Sequence, residues 1–371
     1  MSAEKRVLKR LSAEAAQEEF AKKRKTPVVP YHALYSSIID AVITDVSQMT
    51  IPIDDHMVIR GHGVFDTCTI AKGRLFRLEI HLDRFLNSAK RAMIAHKWTK
   101  DDLRSIIMQT VALSGQRDGN VRYFMSSGEG NTELTPEGLE PRFFCLVKGG
   151  PEYQVGDEET EKVFSSEELS KKGVDEVTVR QSEVCSKSPF LATFKTTNYM
   201  VNCLQQMVAR SKGGYRGISL DVNEVVLEGS VCCCAIVTLE GVFKTPPFDR
   251  ILNGTTVQRA LQHTRRLLEL PEEPKGDGRQ AARRGAWNVL KKVEQADFHV
   301  SEVFSAREVF WLSGDVHVEP IVRLDGNQIG DGVPGPVFSF LMHEFANDCL
   351  FEAECAVEVK YEEATVPNGC A

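Results

Sequence analysis

The segment Thr193-Phe194-Lys195-Thr196-Thr197-Asn198-Tyr199 brings one lysine to the start of a predicted helix. Apolar residues follow at i, i+3, i+4, i+7 and i+8, which is typical of an amphipathic helix: Met200, Cys203, Leu204, Met207 and Val208. A lysine just ahead of a helix lies near about half a positive charge from the aligned peptide dipoles. That field, together with burial, favours the neutral amine, which attacks carbonyl groups to form a Schiff base. A solvated surface lysine is the alternative that the local sequence leaves open.

The composition is that of an ordinary globular protein, with 371 residues of which 42% are hydrophobic and 26% charged. This length suffices for two domains with buried cores. The net charge of -7 argues against nucleic acid as the main partner, because phosphate binding requires a basic surface. The sequence has no apolar run of about 18 residues that could cross a membrane. We therefore expect neither nucleic acid nor a membrane as a partner.

The ten cysteines do not form a zinc-like pattern of paired cysteines and histidines, so no metal is expected. Three of them, Cys232, Cys233 and Cys234, lie in an apolar run and suit reduced thiols packed in a strand. Residues 1–27 are charged and helix-prone, and they lack the apolar centre of a secretory signal. We predict a flexible extension of a cytoplasmic protein, and organelle targeting by this extension is the alternative.

Two stretches of the first half carry candidate site residues. Arg60-Gly61-His62-Gly63 places two glycines around a histidine, which predicts a tight loop close to neighbouring backbone. Residues 79–93 form a helical pattern, and Arg84 lies off its apolar stripe. A surface arginine is the plainer interpretation of Arg84. The polar segment that begins at residue 149 is predicted to link two domains.

The second half adds a carboxylate and a helix start. Glu228 ends an apolar strand at a Gly-Ser turn, so its side chain is directed either into a site or into water. Gly254-Thr255-Thr256 opens a helical pattern, where free N–H groups, the dipole and two hydroxyls can bind an anion. An ordinary N-cap needs only one of the hydroxyls. Residues 280–295 are predicted to form one further helix, within a charged insert of unassigned role.

Seven motifs occur along the chain: Arg60 to Asp66, Leu78 to Phe85, Lys195 to Tyr199, Leu227 to Ser230, Thr245 to Pro247, Gly254 to Thr256 and Ile329 to Pro336. In this order and spacing they resemble the fold-type IV pyridoxal phosphate enzymes. That family contains branched-chain aminotransferases, D-amino acid aminotransferases and aminodeoxychorismate lyases. The resemblance implies an α+β fold of two domains, with the cofactor in the cleft between them, and a homodimer.

The resemblance also assigns roles to individual positions. Lys195 matches the lysine that holds the cofactor as an aldimine and moves the substrate proton, and Tyr199 matches a tyrosine near the cofactor's phenolic oxygen. Glu228 matches the carboxylate that pairs with the pyridinium nitrogen, which makes the ring an electron sink. Arg84, Thr255 and Thr256 match the phosphate clamp. Arg60 and His62 are expected to contact the substrate, including from the neighbouring subunit.

Two departures from the family pattern concern charge. Asp315 stands where many members offer a hydroxyl to the phosphate, and Arg60 stands where the branched-chain enzymes have a tyrosine. An arginine there could bind a substrate carboxylate, which leaves an aliphatic-only pocket in doubt.

The predicted organisation is an extension at 1–27, a small α/β domain at 28–147, a linker at 148–158, a large pyridoxal phosphate-binding domain at 159–350 and a tail at 351–371. The predicted reaction transfers an amino group between an amino acid, of the D- or branched-chain type, and a 2-oxo acid. The alternatives are a lyase that releases pyruvate and 4-aminobenzoate from aminodeoxychorismate, and a non-catalytic member of the family.

Overall fold

The computed structural model describes residues 8–24, 29–149, 172–314 and 317–362. Within these residues the chain forms two large β-sheets, each with its own hydrophobic core and its own covering helices. This arrangement confirms the predicted α+β fold of two domains. None of the helices in the described ranges is both long and apolar enough to cross a membrane.

The first sheet is antiparallel and contains seven strands. Along the chain these are Tyr31–Ser36, Ala41–Ile43, Gly63–Ala71, Arg74–Phe76, Gly119–Ser126, Arg142–Lys148 and Ala356–Glu358. The helices Leu78–Arg91 and Lys100–Ser114 bury one face of the sheet, where Phe85 contacts Tyr123 and Phe143. The helix Ala13–Lys23 precedes the first strand, and the 3₁₀ turn Val46–Gln48 and the short helix His56–Arg60 lie between the second and third strands along the chain.

The second sheet is mixed, and its strands are Val174–Glu176, Cys233–Val237, Val242–Thr245, Lys292–Gln295, Glu308–Ser313, His317–Leu324 and Asn327–Gln328. The helices Thr255–Leu268, Arg279–Val289 and Pro336–Leu350 lie on one face. The helix Val300–Phe304 and the buried side chains of Phe298 and Trp311 lie on the other. A small separate pair joins Thr178–Val179 to Ile218–Ser219. The second sheet is therefore covered on both faces, which explains continuous apolar strands such as Cys233–Val237.

Two predicted elements differ from the structure. The helix predicted over residues 280–295 ends at Val289, and Lys292–Gln295 is instead a strand parallel to Val242–Thr245. The C-terminal part, predicted to be only a tail, contributes Ala356–Glu358 as an edge strand of the first sheet. Both strands pair with residues distant in sequence, so local periodicity could not reveal them. The predicted linker lies outside the described residues beyond position 149, as does Asp315.

The Lys195 segment joins the two halves. Its backbone runs beside the first strand residues of Gly63–Ala71: the amide of Phe65 donates to the carbonyl of Lys195 at 3.2 Å, and the amide of Thr197 donates to the carbonyl of Gly63 at 2.9 Å. The short helix Pro189–Ala192 precedes this segment, and the helix Met200–Ser211 follows it. The lysine segment, which leads into the second domain, is therefore fixed to the first domain through main-chain hydrogen bonds.

The helix Met200–Ser211 turns its apolar stripe outward. Met200 is 71% exposed and Met207 is 66% exposed, and Leu204 is also exposed. The side chains that the helix buries are Asn202, Gln205 and Ala209. The amphipathic pattern thus predicted the helix correctly, but within one subunit the polar side faces the protein interior.

Candidate functional site

One cavity of about 240 Å³ lies between the two sheets, close to the roughly 300 Å³ lower end of small-molecule sites. Its walls contain all six predicted catalytic and cofactor-binding residues: Arg84, Lys195, Tyr199, Glu228, Thr255 and Thr256. They come from both domains, and residues more than 170 positions apart in the sequence meet there, such as Arg84 and Thr256. The fold therefore collects motifs that are far apart in the chain around a single space.

The Lys195 amine is held inside this cavity by an aromatic pair. Its Nζ donates a hydrogen bond to the hydroxyl of Tyr199 at 3.1 Å and lies 4.6 Å from the centre of the Phe65 ring. The backbone amide of Lys195 donates to the hydroxyl of Ser88 at 3.1 Å. Lys195 is therefore not a solvated surface lysine, because both its backbone and its amine are fixed by neighbours.

Glu228 points into the cavity and not into water. Its side chain is only 13% exposed, and its Oε1 lies 2.5 Å from the Nζ of Lys187. Oε2 accepts a long hydrogen bond from the amide of Leu252 at 3.4 Å. Oε1 is buried, and apart from the ion pair with Lys187 it has no hydrogen-bond partner among the described residues. A buried carboxylate oxygen of this kind is suited to a donor that a ligand brings.

Arg84 is largely shielded from water, with 13% of its side chain exposed, and a carboxylate of the first sheet holds its guanidinium. Its Nε and Nη2 donate to the two oxygens of Asp66 at 2.8 and 2.7 Å, and His81 Nδ1 lies 3.0 Å from Asp66 Oδ1. Burial would raise the pKa of Asp66, but the charge of Arg84 and the hydrogen bonds from Arg84 and His81 outweigh it and hold that pKa well below its ordinary value. Burial lowers the pKa of His81, which favours the neutral ring. The surface interpretation of Arg84 is wrong.

The helix Thr255–Leu268 presents its N-terminus to the same space. The Thr256 hydroxyl donates to the carbonyl of Ser313 at 2.8 Å, and the Thr255 hydroxyl lies 3.5 Å from His81 Nε2. Because both hydroxyls have protein partners, the groups best placed to bind an anion are the first-turn amides, which have no acceptor within a helix. Arg84 is beside them, since its Nη1 reaches the carbonyl of Asn253 at 3.4 Å.

Arg60 and His62 do not line the cavity of their own subunit. The Arg60 guanidinium donates to the carbonyls of Thr132 and Glu133, and His62 Nε2 lies 2.7 Å from the carbonyl of Ala92. The loop between them still touches the site, because the carbonyl of Gly61 accepts a hydrogen bond from the cavity residue Asn198 at 2.9 Å. A substrate role for these two residues stays a prediction that depends on a neighbouring subunit.

Three functional candidates were missed by the sequence analysis. Asp66 belongs to a quoted motif, and its isolated charge within an apolar strand could have identified it. Arg122 lines the cavity from the strand Gly119–Ser126, with its Nε donating to the Thr67 hydroxyl at 3.0 Å, and no carboxylate pairs with it in the described ranges. Lys187, eight residues before Lys195, has no local sequence signal. Nor do the described residues contain three His, Cys, Asp or Glu side chains grouped to hold a metal.

Comparison with known proteins agrees with this geometry. The sequence profile of the amino-transferase class IV family matches residues 63–275. A D-amino-acid transaminase, chloroplastic, of Arabidopsis thaliana is 34% identical over 318 residues, which cover 85% of this chain and 76% of that protein. A putative branched-chain-amino-acid aminotransferase of Methanocaldococcus jannaschii is 24% identical, over 81% of this chain and 92% of its own.

A solved structure shows the same fold. The branched-chain amino acid aminotransferase of Escherichia coli superposes with a TM-score of 0.70 at 18% identity. The match covers 89% of this chain and 99% of that chain.

Proposed function

Because the chain belongs to the amino-transferase class IV family, we propose that it is a pyridoxal phosphate-dependent transaminase acting on an amino acid and a 2-oxo acid. The observation that carries the proposal is the single cavity in which the Lys195 amine, the buried Glu228 carboxylate and the Arg84 guanidinium face one another. Retention of all three groups argues against a non-catalytic member of the family.

The residues of the cavity fit pyridoxal phosphate. The aldehyde of the cofactor needs an amine, which Lys195 provides beside the Tyr199 hydroxyl. The ring nitrogen needs an acceptor, and the carboxylate of Glu228 provides one, because apart from its ion pair with Lys187 the buried Oε1 has no hydrogen-bond partner among the described residues. The phosphate needs N–H groups and positive charge, which the first turn of Thr255–Leu268 and the guanidinium of Arg84 provide. When bound, the cofactor supplies the electron sink for the substrate carbanion.

The chain's own residues then have distinct tasks. Lys195 Nζ would hold the cofactor through its aldehyde, and the same amine would carry the proton to and from the substrate Cα. The Tyr199 hydroxyl, 3.1 Å from that amine, orients it. Asp66 fixes the planar guanidinium of Arg84 through two parallel hydrogen bonds and thereby aims its remaining N–H groups at the helix start.

For the substrate we propose an α-amino acid whose carboxylate meets Arg122. This guanidinium lines the cavity and lies 5.5 Å from the centre of the Phe65 ring, which the Lys195 amine also approaches, at 4.6 Å. A cation near the reacting amine suits a carboxylate ligand. The D-amino acid and branched-chain types both remain within the proposal, because relatives of both names match this chain. Arg60 and His62 would extend the pocket from a second subunit.

A second copy of the chain is the proposed partner. The exposed stripe of Met200, Leu204 and Met207 lies on the helix that also carries the cavity residue Asn202, and exposed apolar patches of this kind mark interaction surfaces. A homodimer that covers the stripe would also bring a second loop of residues 60–63 toward the site, which fits the absence of Arg60 and His62 from the cavity of their own subunit.

The experiment that tests the proposed function is a half-reaction. Protein loaded with pyridoxal phosphate is mixed separately with D-alanine and L-leucine, and the 2-oxo acid formed is counted. We expect one equivalent per active site without an acceptor and continuous turnover after a 2-oxo acid is added. Pyruvate released from aminodeoxychorismate with no amino acceptor would instead identify the lyase and contradict the transaminase.

A further inference from the structure

A second lysine lies in the cavity and is not used by the proposed mechanism. Lys187 Nζ is 2.5 Å from Glu228 Oε1, and the two side chains are only 16% and 13% exposed. Lys187 is thus an internal counter-ion of the carboxylate that would hold the ring nitrogen of the cofactor. Burial lowers the pKa of Lys187, but the charge of Glu228 outweighs it and the pKa is raised, which favours the ammonium form.

The position of the pair links two parts of the site. Lys187 immediately precedes Ser188, the N-cap of the short helix Pro189–Ala192 that leads to the Lys195 segment. Glu228 lies on a different part of the chain, where its backbone carbonyl accepts a hydrogen bond from the amide of Ser219. The other titratable groups around the cavity are Asp66, Arg84, Arg122, Lys195, Tyr199, Cys232 and Cys233. Of the two carboxylates in the cavity wall, Asp66 pairs with Arg84 and Glu228 pairs with Lys187.

One carboxylate cannot give its full charge to two cations. An ammonium 2.5 Å from Oε1 partly neutralises the negative charge of the carboxylate. A protonated ring nitrogen beside Glu228 would therefore be stabilised less. Positive charge on Lys187 also repels positive charge on the ring. A single charge at such range changes the relevant protonation equilibrium by about one to three pKa units, that is, tenfold or more.

We propose, on the basis of the proposed function, that Lys187 is a positioning residue for Glu228 whose ammonium charge limits the hold of that carboxylate on the cofactor ring. Without cofactor, Lys187 neutralises Glu228 and stabilises the folded protein. With cofactor, the same charge lowers the affinity of the protein for the cofactor and the basicity of the ring nitrogen. The residue therefore sets how strongly the ring withdraws electrons.

The test uses pyridoxamine 5'-phosphate, whose binding needs no covalent bond to Lys195. Its dissociation constant is measured by fluorescence for the whole chain and for Lys187→Met and Lys187→Gln. Both neutral variants should bind it at least tenfold more tightly, and the cofactor absorbance should titrate at higher pH. The melting temperature of the cofactor-free protein should fall in both. Lys187→Arg keeps the charge and should stay within about threefold of the unmodified protein.

Two further proteins make the result specific. In a Glu228→Gln background, Lys187→Met should change the affinity much less, because no carboxylate remains to be shared and the ring nitrogen, without that carboxylate, is no longer held in its protonated form. Lys97→Met is the matched control, since Lys97 forms an exposed ion pair with Glu140 outside the cavity, and it should change nothing.

The outcomes separate this inference from the function on which it rests. If neither neutral variant binds more tightly while the unmodified protein binds both cofactor forms, the role of Lys187 is only structural and the inference is overturned alone. A lower melting temperature without any change in affinity or absorbance titration has the same meaning. If the unmodified protein binds neither pyridoxal phosphate nor pyridoxamine 5'-phosphate, the proposed function fails first and takes the inference with it.

Discussion

The charged insert after the helix Thr255–Leu268 is anchored by one buried carboxylate, and removing that charge should weaken the fold in a pH-dependent way. Glu344, on the helix Pro336–Leu350, accepts paired hydrogen bonds from Arg279 at 2.9 and 2.7 Å and from Arg283 at 2.8 and 3.0 Å. Its side chain is 1% exposed. Both arginines belong to the helix Arg279–Val289, so the insert of unassigned role is a structural helix held against the second domain.

The magnitude follows from the pKa of Glu344. Burial raises that pKa, but the bonds from Arg279 and Arg283 outweigh it and lower it from 4.5 to about 2. Each pKa unit corresponds to about 1.4 kcal/mol, so the folded state gains about 3 kcal/mol from the ionised carboxylate. Because the folded pKa lies below the unfolded pKa, this stabilisation is complete above about pH 4.5 and is lost as the pH falls toward 2.

The substitution Glu344→Gln should therefore lower the free energy of unfolding by about 3 kcal/mol at pH 7. Urea titrations followed by tryptophan fluorescence measure it, with Trp287 on the anchored helix as a local probe. The difference between the two proteins should shrink below pH 4.5. Glu272→Gln removes an exposed ion pair with Lys275 and should cost less than about 1 kcal/mol. A loss for Glu344→Gln that is equally large at pH 7 and pH 3.5 would refute the reasoning.

Three shorter predictions concern the site. Arg84→Ala should raise the dissociation constant of the cofactor about a hundredfold in equilibrium binding, because two charge-assisted bonds are lost. An unchanged dissociation constant with a large loss of turnover at saturating cofactor would contradict this. Gly61→Ala should destabilise the protein by about 1–3 kcal/mol, because Gly61 has φ of 65° and an added Cβ would lie 2.6 Å from Asn198 Oδ1; an unchanged melting temperature would contradict this. Met207→Glu should convert a dimer to monomers in light scattering, since it charges the exposed stripe, and a persistent dimer would place the interface elsewhere.

The sequence predicted which residues meet at the cavity better than it predicted the packing of the molecule. Lys195, Glu228 and Gly254-Thr255-Thr256 each stand at a boundary between a strand, a turn and a helix, where short-range patterns are informative, and the structure brings them to one cavity. Periodicity also located the helix Met200–Ser211, but it could not tell which face would be buried. An exposed apolar stripe indicates an interaction surface, and the partner that packs against it can be another subunit.

The remaining differences come from long-range pairing. Lys292–Gln295 became a strand because Val242–Thr245 offers it a parallel edge about 50 residues away. Arg84 has the local sequence context of a surface residue. Its burial depends on Asp66, which lies on a strand of the first sheet and is not part of the local helical pattern. Lys187 likewise meets Glu228 only in the folded chain. Such pairs are properties of the tertiary structure, and a helical or strand period contains no record of them.

The most direct test of the account is to locate the covalent bond to the cofactor. Protein loaded with pyridoxal phosphate is reduced with borohydride, which makes the lysine adduct permanent, and peptide mass spectrometry then identifies the modified residue. The account predicts the label on Lys195, beside Tyr199, and none on the second cavity lysine, Lys187. A label on Lys187, or no labelled lysine, would contradict the central claim that Lys195 holds the cofactor.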